Sequence, residues 1–299
     1  MARKTAHDFD QELLILFDAY VHGVIDRRTF LDRAGKFAVG GVTAAMLLDQ
    51  LSPKFLEAQQ VPSDDVRIAA EYLEYDSPNG NGQMRGYFSA PAAAGGAGRL
   101  PGILVIHENR GLNPHIEDIA RRLAVDNFVA FAPDALFPLG GYPGDEDRAR
   151  QLFPQLDQAK TREDFVAAAG FLRGRPQCTG RIGAVGFCYG GGMVNYLATR
   201  LGTDLSAGVP YYGSSPNVED VAKIRCPLLI QSAENDPRIN ESWPGYEQAL
   251  QAAGVSYQRH LYPGTQHGFN NDTTPRYDAA AAKLSWERTI AFFNQHVRR

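Results

Sequence analysis

A cysteine lies between glycines in the segment Gly186-Phe187-Cys188-Tyr189-Gly190. A nucleophile on a sharp strand-to-helix turn needs such small neighbours, because the two backbones approach closely there and the turn residue is strained. The N-terminus of the following helix would favour the thiolate form of Cys188. The Tyr189 N–H would point to where an oxyanion forms. The spacing therefore predicts covalent catalysis by a thiol.

Two downstream residues could act with Cys188 as base and orienting acid. Asp236 comes just past the predicted strand 228–232, and His267 comes just past the predicted strand 257–262. A cysteine nucleophile is strengthened by a histidine base, which a carboxylate in turn orients. The order nucleophile, acid, histidine is that of hydrolases with this turn. Glu234 is the alternative acid.

The elements around these residues must bring them together. Residues 102–107 form a continuous apolar run, which is typical of a buried parallel strand. From there to the C-terminus, strand-like and helix-like segments alternate, and an antiparallel hairpin precedes them between residues 66 and 89. This pattern predicts an α/β fold with a mostly parallel sheet and helices on both faces. Side chains that follow the strands would meet at the sheet's carboxyl edge.

The N-terminal residues 1–60 have a different character from residues 61–299 and are predicted to form a helical extension. Arg27-Arg28 followed by the apolar run 37–48 is similar to a twin-arginine export signal. That run has twelve residues, whereas a membrane-spanning helix needs about 20, so stable membrane insertion is not expected. Two interpretations stay open. One is a retained helical domain in the cytoplasm, which could also pair copies of the chain. The other is a signal for a periplasmic or secreted protein.

Charge and cysteine spacing limit the partners and cofactors that we expect for this protein. The net charge is −4 and the charges are interspersed, so nucleic acid is not an expected partner. The three cysteines, Cys178, Cys188 and Cys226, have spacings that fit neither a disulfide framework nor a zinc site. We therefore expect a small-molecule substrate and no metal or organic cofactor.

From about Val66 to Val297 the chain resembles the dienelactone hydrolase family of the α/β-hydrolase superfamily, which carries cysteine in this turn. The resemblance rests on the three residues above and on the segment His107-Glu108-Asn109-Arg110-Gly111. It implies an α/β-hydrolase fold and cleavage of an ester or lactone through Cys188, His267 and Asp236. It also implies that Glu108 contacts the resting thiol and helps to ionise it. The N–H groups of Tyr189 and Asn109 would then form the oxyanion hole.

One position departs from the family. Dienelactone hydrolases anchor a substrate carboxylate with arginines, one of them four residues after the catalytic histidine, and Asn271 occupies that position here. An asparagine cannot form a charged fork with a carboxylate. Arg110 could substitute, and a second arginine could be Arg148 or Arg150. The predicted substrate contacts are Arg110, Phe269, Trp243 and Tyr142.

Two other functions are compatible with parts of the sequence. A thiol redox or sensing protein would need a resolving cysteine near Cys188, but Cys178 precedes the strand and should lie at its opposite end. A non-catalytic binding module on the same scaffold would bind its ligand without a burst of product.

Overall fold

An eight-stranded sheet forms the centre of the computed structural model, which describes residues 4–94 and 98–298. The strands are β1 (Ile68–Ser77), β2 (Gly82–Pro91), β3 (Leu100–Ile106), β4 (Val129–Pro133), β5 (Cys178–Phe187), β6 (Ala207–Tyr211), β7 (Leu228–Asn235) and β8 (Tyr257–Gln266). Their order is β1-β2-β4-β3-β5-β6-β7-β8. β2 pairs antiparallel with β1 and β4, and the other pairings are parallel. The predicted hairpin and mostly parallel sheet are confirmed.

Helices cover both faces of this sheet. In chain order the helices are α1 (Gln11–Val21), α2 (Arg27–Ala34), α3 (Ala44–Leu51), α4 (Phe55–Ala58), α5 (Pro114–Val125), α6 (Glu146–Leu152), α7 (Gln158–Arg173), α8 (Tyr189–Leu201), α9 (Pro237–Asn240), α10 (Trp243–Ala252) and α11 (Ala279–His296). Alternate side chains of β3 point to opposite faces. Leu104 and Ile106 pack with α7 and α8, while Ile103 and Val105 pack with α5 and α11. Burial on both faces explains the continuous apolar run in the sequence.

One helix begins earlier than its local sequence suggests. The segment Thr161-x-x-Asp164 resembles a capping box, but α7 begins at Gln158. Asp157 caps it, since its carboxylate accepts from the N–H groups of Ala159 and Lys160. The earlier cap leaves Thr161 inside the helix, where its hydroxyl donates to the Asp157 carbonyl.

The N-terminal helices α1–α4 enclose an apolar core of their own. It consists of Leu13, Leu14, Phe17, Tyr20, Phe30, Ala34, Leu47, Leu48 and Leu51. Arg27, the first residue of the arginine pair, begins α2 after the capping residue Asp26. Residues 1–3 of the predicted extension lie outside the described part of the chain. Within the described part, no helix combines the length and apolar character needed to cross a membrane.

Candidate active site

Cys188 lies on the turn between β5 and α8, in a strained backbone conformation. Its φ is +56° and its ψ is −112°, and such a conformation costs a residue with a Cβ on the order of 1–3 kcal/mol. A Cβ on Gly186 would lie 2.1 Å from the Gly190 carbonyl oxygen, and one on Gly190 would lie 2.2 Å from the Ile106 carbonyl oxygen. Both glycines are therefore required by the close approach of β5, α8 and β3.

His267 and Asp236 form a buried hydrogen-bonded pair at the same edge of the sheet. Asp236 directly follows β7 and His267 directly follows β8. The distance from His267 Nδ1 to Asp236 Oδ2 is 2.5 Å. His267 Nε2 is buried and makes no hydrogen bond among the described residues, so it is the ring nitrogen left for the thiol or a substrate. Glu234, the alternative acid, accepts instead from the Gly264 N–H.

A second histidine, which the sequence analysis did not single out, contacts the thiol. His22 follows α1, and its Nε2 lies 3.3 Å from Cys188 Sγ. Its Nδ1 lies 3.2 Å from Asp18 Oδ2 and 2.8 Å from the Asp18 carbonyl oxygen. The rings of His22 and His267 meet edge to face, with their centroids 4.8 Å apart. The thiol therefore lies beside two aspartate-supported histidines.

These contacts determine the charge of the site. Burial raises the pKa of the Cys188 thiol, but the neighbouring His267 and His22 lower it overall to about 5. Burial lowers the pKa of His267, but Cys188 and Asp236 raise it overall to about 10. The directions of both shifts favour a thiolate–imidazolium pair at neutral pH.

The predicted oxyanion donors lie where two adjacent strands end. Tyr189 is the first residue of α8, so its N–H has no acceptor within the helix. Asn109 follows β3, which is hydrogen-bonded to β5. The Asn109 side chain donates to the Val21 carbonyl oxygen at 3.1 Å, and that contact ties the segment to the end of α1.

Glu108 is held by Asn271 rather than by the thiol. Asn271 Nδ2 donates to Glu108 Oε2 at 3.0 Å, whereas the side chain hydrogen-bonded to Cys188 Sγ is His22. Asn271, which occupies the position of the family's arginine, thus fixes the Glu108 carboxylate. A role for Glu108 in ionising the thiol stays a prediction.

A cleft beside this edge contains about 530 Å³ of empty space, part of it open to solvent. Its lining includes Phe17 and Tyr20 of α1, together with Glu108, Arg110 and Arg276. The Arg110 guanidinium lies 3.6 Å from Glu146 and donates to the Val21 carbonyl oxygen at 2.9 Å.

The three aromatic residues predicted to contact substrate lie at different positions relative to this cleft. The Tyr142 hydroxyl donates to Glu146, another residue of the cleft, at 3.0 Å. Phe269 is fully buried, and its ring packs on Tyr262. The Trp243 ring packs against Arg259. None of these three aromatic residues is among the described residues that line the cleft, although Tyr142 contacts one that does.

Three side chains of the site could also hold a metal ion. The ligand atoms of His22, Cys188 and His267 all lie within 4.8 Å of one another. Imidazole and thiolate are zinc ligands, and a carboxylate on the second ring nitrogen is the usual support for such a histidine. Two of the three, Cys188 and His267, are also the predicted nucleophile and base, so the cluster alone does not require a metal.

The fold and the residues at its carboxyl edge define an α/β-hydrolase. A model of the Dienelactone hydrolase family matches residues 84–297, and the chain belongs to this family. It is accordingly a dienelactone hydrolase-like enzyme. A second family model, described as YqhI-like, matches residues 1–38, which include α1, His22 and α2.

Individual proteins of known sequence or structure are also similar to this chain. The "Putative hydrolase fragment YghX" of Escherichia coli is 50% identical over 116 residues, which are 39% of this chain and 97% of that protein. A "Putative carboxymethylenebutenolidase" of Salmonella typhi is 30% identical over 234 residues, covering 73% of this chain and 85% of its own length. The crystal structure of a "Putative Dienelactone Hydrolase" from Klebsiella pneumoniae superposes with a TM-score of 0.66 at 28% identity, covering 76% of this chain and all of that one.

Proposed function

We propose that the protein hydrolyses an ester or lactone through the thiolate of Cys188, with His267 as proton carrier and Asp236 as its orienting acid. The observation that carries this proposal is the position of Cys188. It lies on a strained turn, next to a histidine whose other ring nitrogen is bound by a buried carboxylate.

In the first half of the cycle, Cys188 Sγ attacks the carbonyl carbon and forms a C–S bond. The carbonyl oxygen takes up the electron pair and accepts hydrogen bonds from the N–H groups of Tyr189 and Asn109. The oxyanion then collapses, and the C–O bond to the alcohol breaks. His267 donates its proton to the departing alkoxide, which leaves a thioester on Cys188.

In the second half, water attacks the thioester. His267 accepts a proton from that water, and the second tetrahedral intermediate expels the Cys188 thiolate. The net change is one water consumed, with one carboxylic acid and one alcohol released. For a lactone, the acid and the alcohol are parts of one product.

The charges in the cleft favour an uncharged substrate. Arg276 lies 3.0 Å from the Asp18 carboxylate, and Arg110 lies 3.6 Å from Glu146. Both guanidinium groups thus have acidic partners within the protein. Asn271, at the position of the family's arginine four residues after the histidine, carries no charge. We therefore propose an ester or lactone without a free carboxylate as the substrate class.

The positions of the other cysteines argue against a redox function. Cys178 begins β5 and Cys188 follows its last residue, so ten residues of extended chain separate them by about 30 Å. A disulfide requires Cα atoms within about 7 Å. Cys226 precedes β7 and so also lies towards the amino edge of the parallel strands.

The test compares Cys188→Ala with Cys226→Ala, which also removes a buried free cysteine. Each is assayed on lactones and aryl esters in pairs that differ by one carboxylate, and acyl-enzyme is detected by intact mass. We expect loss of turnover and of the acyl adduct in Cys188→Ala alone, and faster turnover of the uncharged member of each pair. Unchanged turnover in Cys188→Ala would refute the nucleophile, and preference for the carboxylate would refute the substrate class.

A further inference from the structure

The contact between His22 and Cys188 joins two parts of the chain that are 166 positions apart. The imidazole comes from the N-terminal helices, outside the 84–297 segment that matches the hydrolase family. It has the same arrangement as His267, with one nitrogen facing the thiol and the other supported by an aspartate. Two Asp–His pairs from separate parts of the chain thus converge on one sulfur.

The end of α1 is fixed in this position by several polar contacts. The Val21 carbonyl oxygen accepts from Arg110 and from Asn109. Asp18, which supports His22, is itself bound by Arg276 at 3.0 Å. Arg276 has an exposed side-chain fraction of 8%, so this ion pair is screened little by solvent. These contacts restrict the rotation of α1 and hold the His22 ring at the thiol.

The surroundings of the contact exclude most water. The side chain of His22 is 11% exposed, and Cys188 is 9% exposed. Opposite charges interact more strongly at such a site than at the surface, because the effective dielectric constant is lower. An imidazolium at His22 would therefore stabilise the thiolate substantially.

We propose that His22 is a positioning residue that keeps Cys188 ionised in the resting enzyme, so that the N-terminal helices complete the active site. The proton that leaves Sγ is held on the His22 imidazole, between the thiolate and the Asp18 carboxylate. His267 keeps a separate proton, which is the one donated to the leaving alkoxide. His22 thereby supplies the ionisation that the family resemblance assigns to Glu108, which Asn271 holds here. The inference rests on the proposed role of Cys188 as nucleophile.

Other charged groups near the two side chains oppose or support this ionisation. Arg238 Nη2 lies 3.1 Å from His22 Nε2 and disfavours a second positive charge there. Burial also lowers the pKa of His22, but Cys188 and Asp18 outweigh it and the net shift is upward. The ionisable groups that face the pair are Asp18, Glu108, Arg110, Tyr212, Asp236, Arg238, His267 and Arg276.

The decisive variant is His22→Gln in the full chain, because glutamine can donate a hydrogen bond but cannot carry the charge. His7→Gln is the matched control, since His7 is an exposed histidine of the same helical extension. The rate of Cys188 alkylation by iodoacetamide is measured against pH, together with kcat and KM. In the wild type we expect a midpoint at about 5.

In His22→Gln we expect the midpoint to rise by about one pH unit or more. As a result kcat/KM should fall below that of the wild type at acidic pH and recover as the pH rises. Asp18→Asn should shift the midpoint in the same direction by a smaller amount, and His7→Gln should match the wild type. Thermal unfolding of each variant checks that it is folded.

An unchanged alkylation midpoint in folded His22→Gln would overturn the inference. If turnover also became faster in that variant, His22 would only cover the thiol and would not ionise it. These outcomes are separable from failure of the proposed function. Cys188→Ala abolishes turnover if Cys188 is the nucleophile, whatever the effect of His22→Gln.

Discussion

Asn271 donates a hydrogen bond to Glu108 across 163 positions of sequence. In the family that this chain resembles, an arginine at the Asn271 position serves the substrate. Here the side chain at that position serves another residue of the protein. Its oxygen also accepts from the Thr273 N–H at 3.0 Å, so both ends of the amide are engaged. The change from arginine to asparagine thus alters the internal structure of the site as well as its charge.

Asn271→Asp should destabilise the protein. The substitution keeps the shape of the side chain but places a carboxylate against Glu108, so a hydrogen bond becomes a repulsion. We expect a loss of about 1–3 kcal/mol in the free energy of unfolding, measured by urea denaturation. Asn294→Asp, on the exposed side of α11, is the control and should stay within about 0.5 kcal/mol of the wild type. Equal stabilities would contradict the importance of this contact.

The pH dependence of kcat/KM on an uncharged ester should be bell-shaped. Protonation of the Cys188 thiolate removes the nucleophile, so activity falls as the pH drops through about 5. Deprotonation of His267 removes the proton that the leaving alkoxide needs, so activity also falls as the pH rises through about 10. The two midpoints belong to the coupled pair. A single limb rising near the ordinary thiol pKa of about 8.5 would show that no ion pair forms.

Gly190→Ala should damage both the fold and the activity. The added methyl group would lie 2.2 Å from the Ile106 carbonyl oxygen, so the turn that carries Cys188 must move. We expect a loss of about 1–3 kcal/mol in the free energy of unfolding and a large fall in kcat.

The control for this variant is Gly170→Ala in α7. A Cβ there would meet nothing within 4 Å, and alanine is the better helix former by about 1 kcal/mol. We expect that variant to be slightly more stable and fully active. Equal effects of the two substitutions would contradict the steric argument.

The N-terminal helices should be present in the mature protein. Removal of the chain through α4 would take away His22, the Val21 carbonyl that accepts from Arg110 and the Asp18 carboxylate that pairs with Arg276. We expect the intact mass of the protein from its natural cell to correspond to a chain that includes α1. A mass lacking α1 to α4 would instead support the export signal suggested by Arg27-Arg28.

Most of the fold and much of the candidate site could be predicted because their signals are local. The glycines around Cys188 are imposed by its immediate turn, and Asp236 and His267 directly follow their strands. His22 gave no such signal. Its contact depends on how α1 packs against segments far away in the sequence, and its neighbours Val21 and Gly23 indicate only the end of a helix.

The predicted aromatic contacts show another limit of local patterns. Trp243 and Phe269 both come soon after strands, which suggested a pocket. The position of each ring is decided by its packing partners, which are Tyr262 for Phe269 and Arg259 for Trp243. Sequence position therefore located the edge of the sheet but not the side chains that face the cleft.

The different pKa values of the three cysteine thiols have a practical consequence for measuring the amount of active enzyme. Burial raises the pKa of Cys178 and raises that of Cys226 to about 12, so Cys188 alone is ionised near neutral pH. One equivalent of a covalent label per chain should therefore count the intact sites in a preparation of unmodified protein. Turnover numbers could then be expressed per competent site rather than per mass of protein.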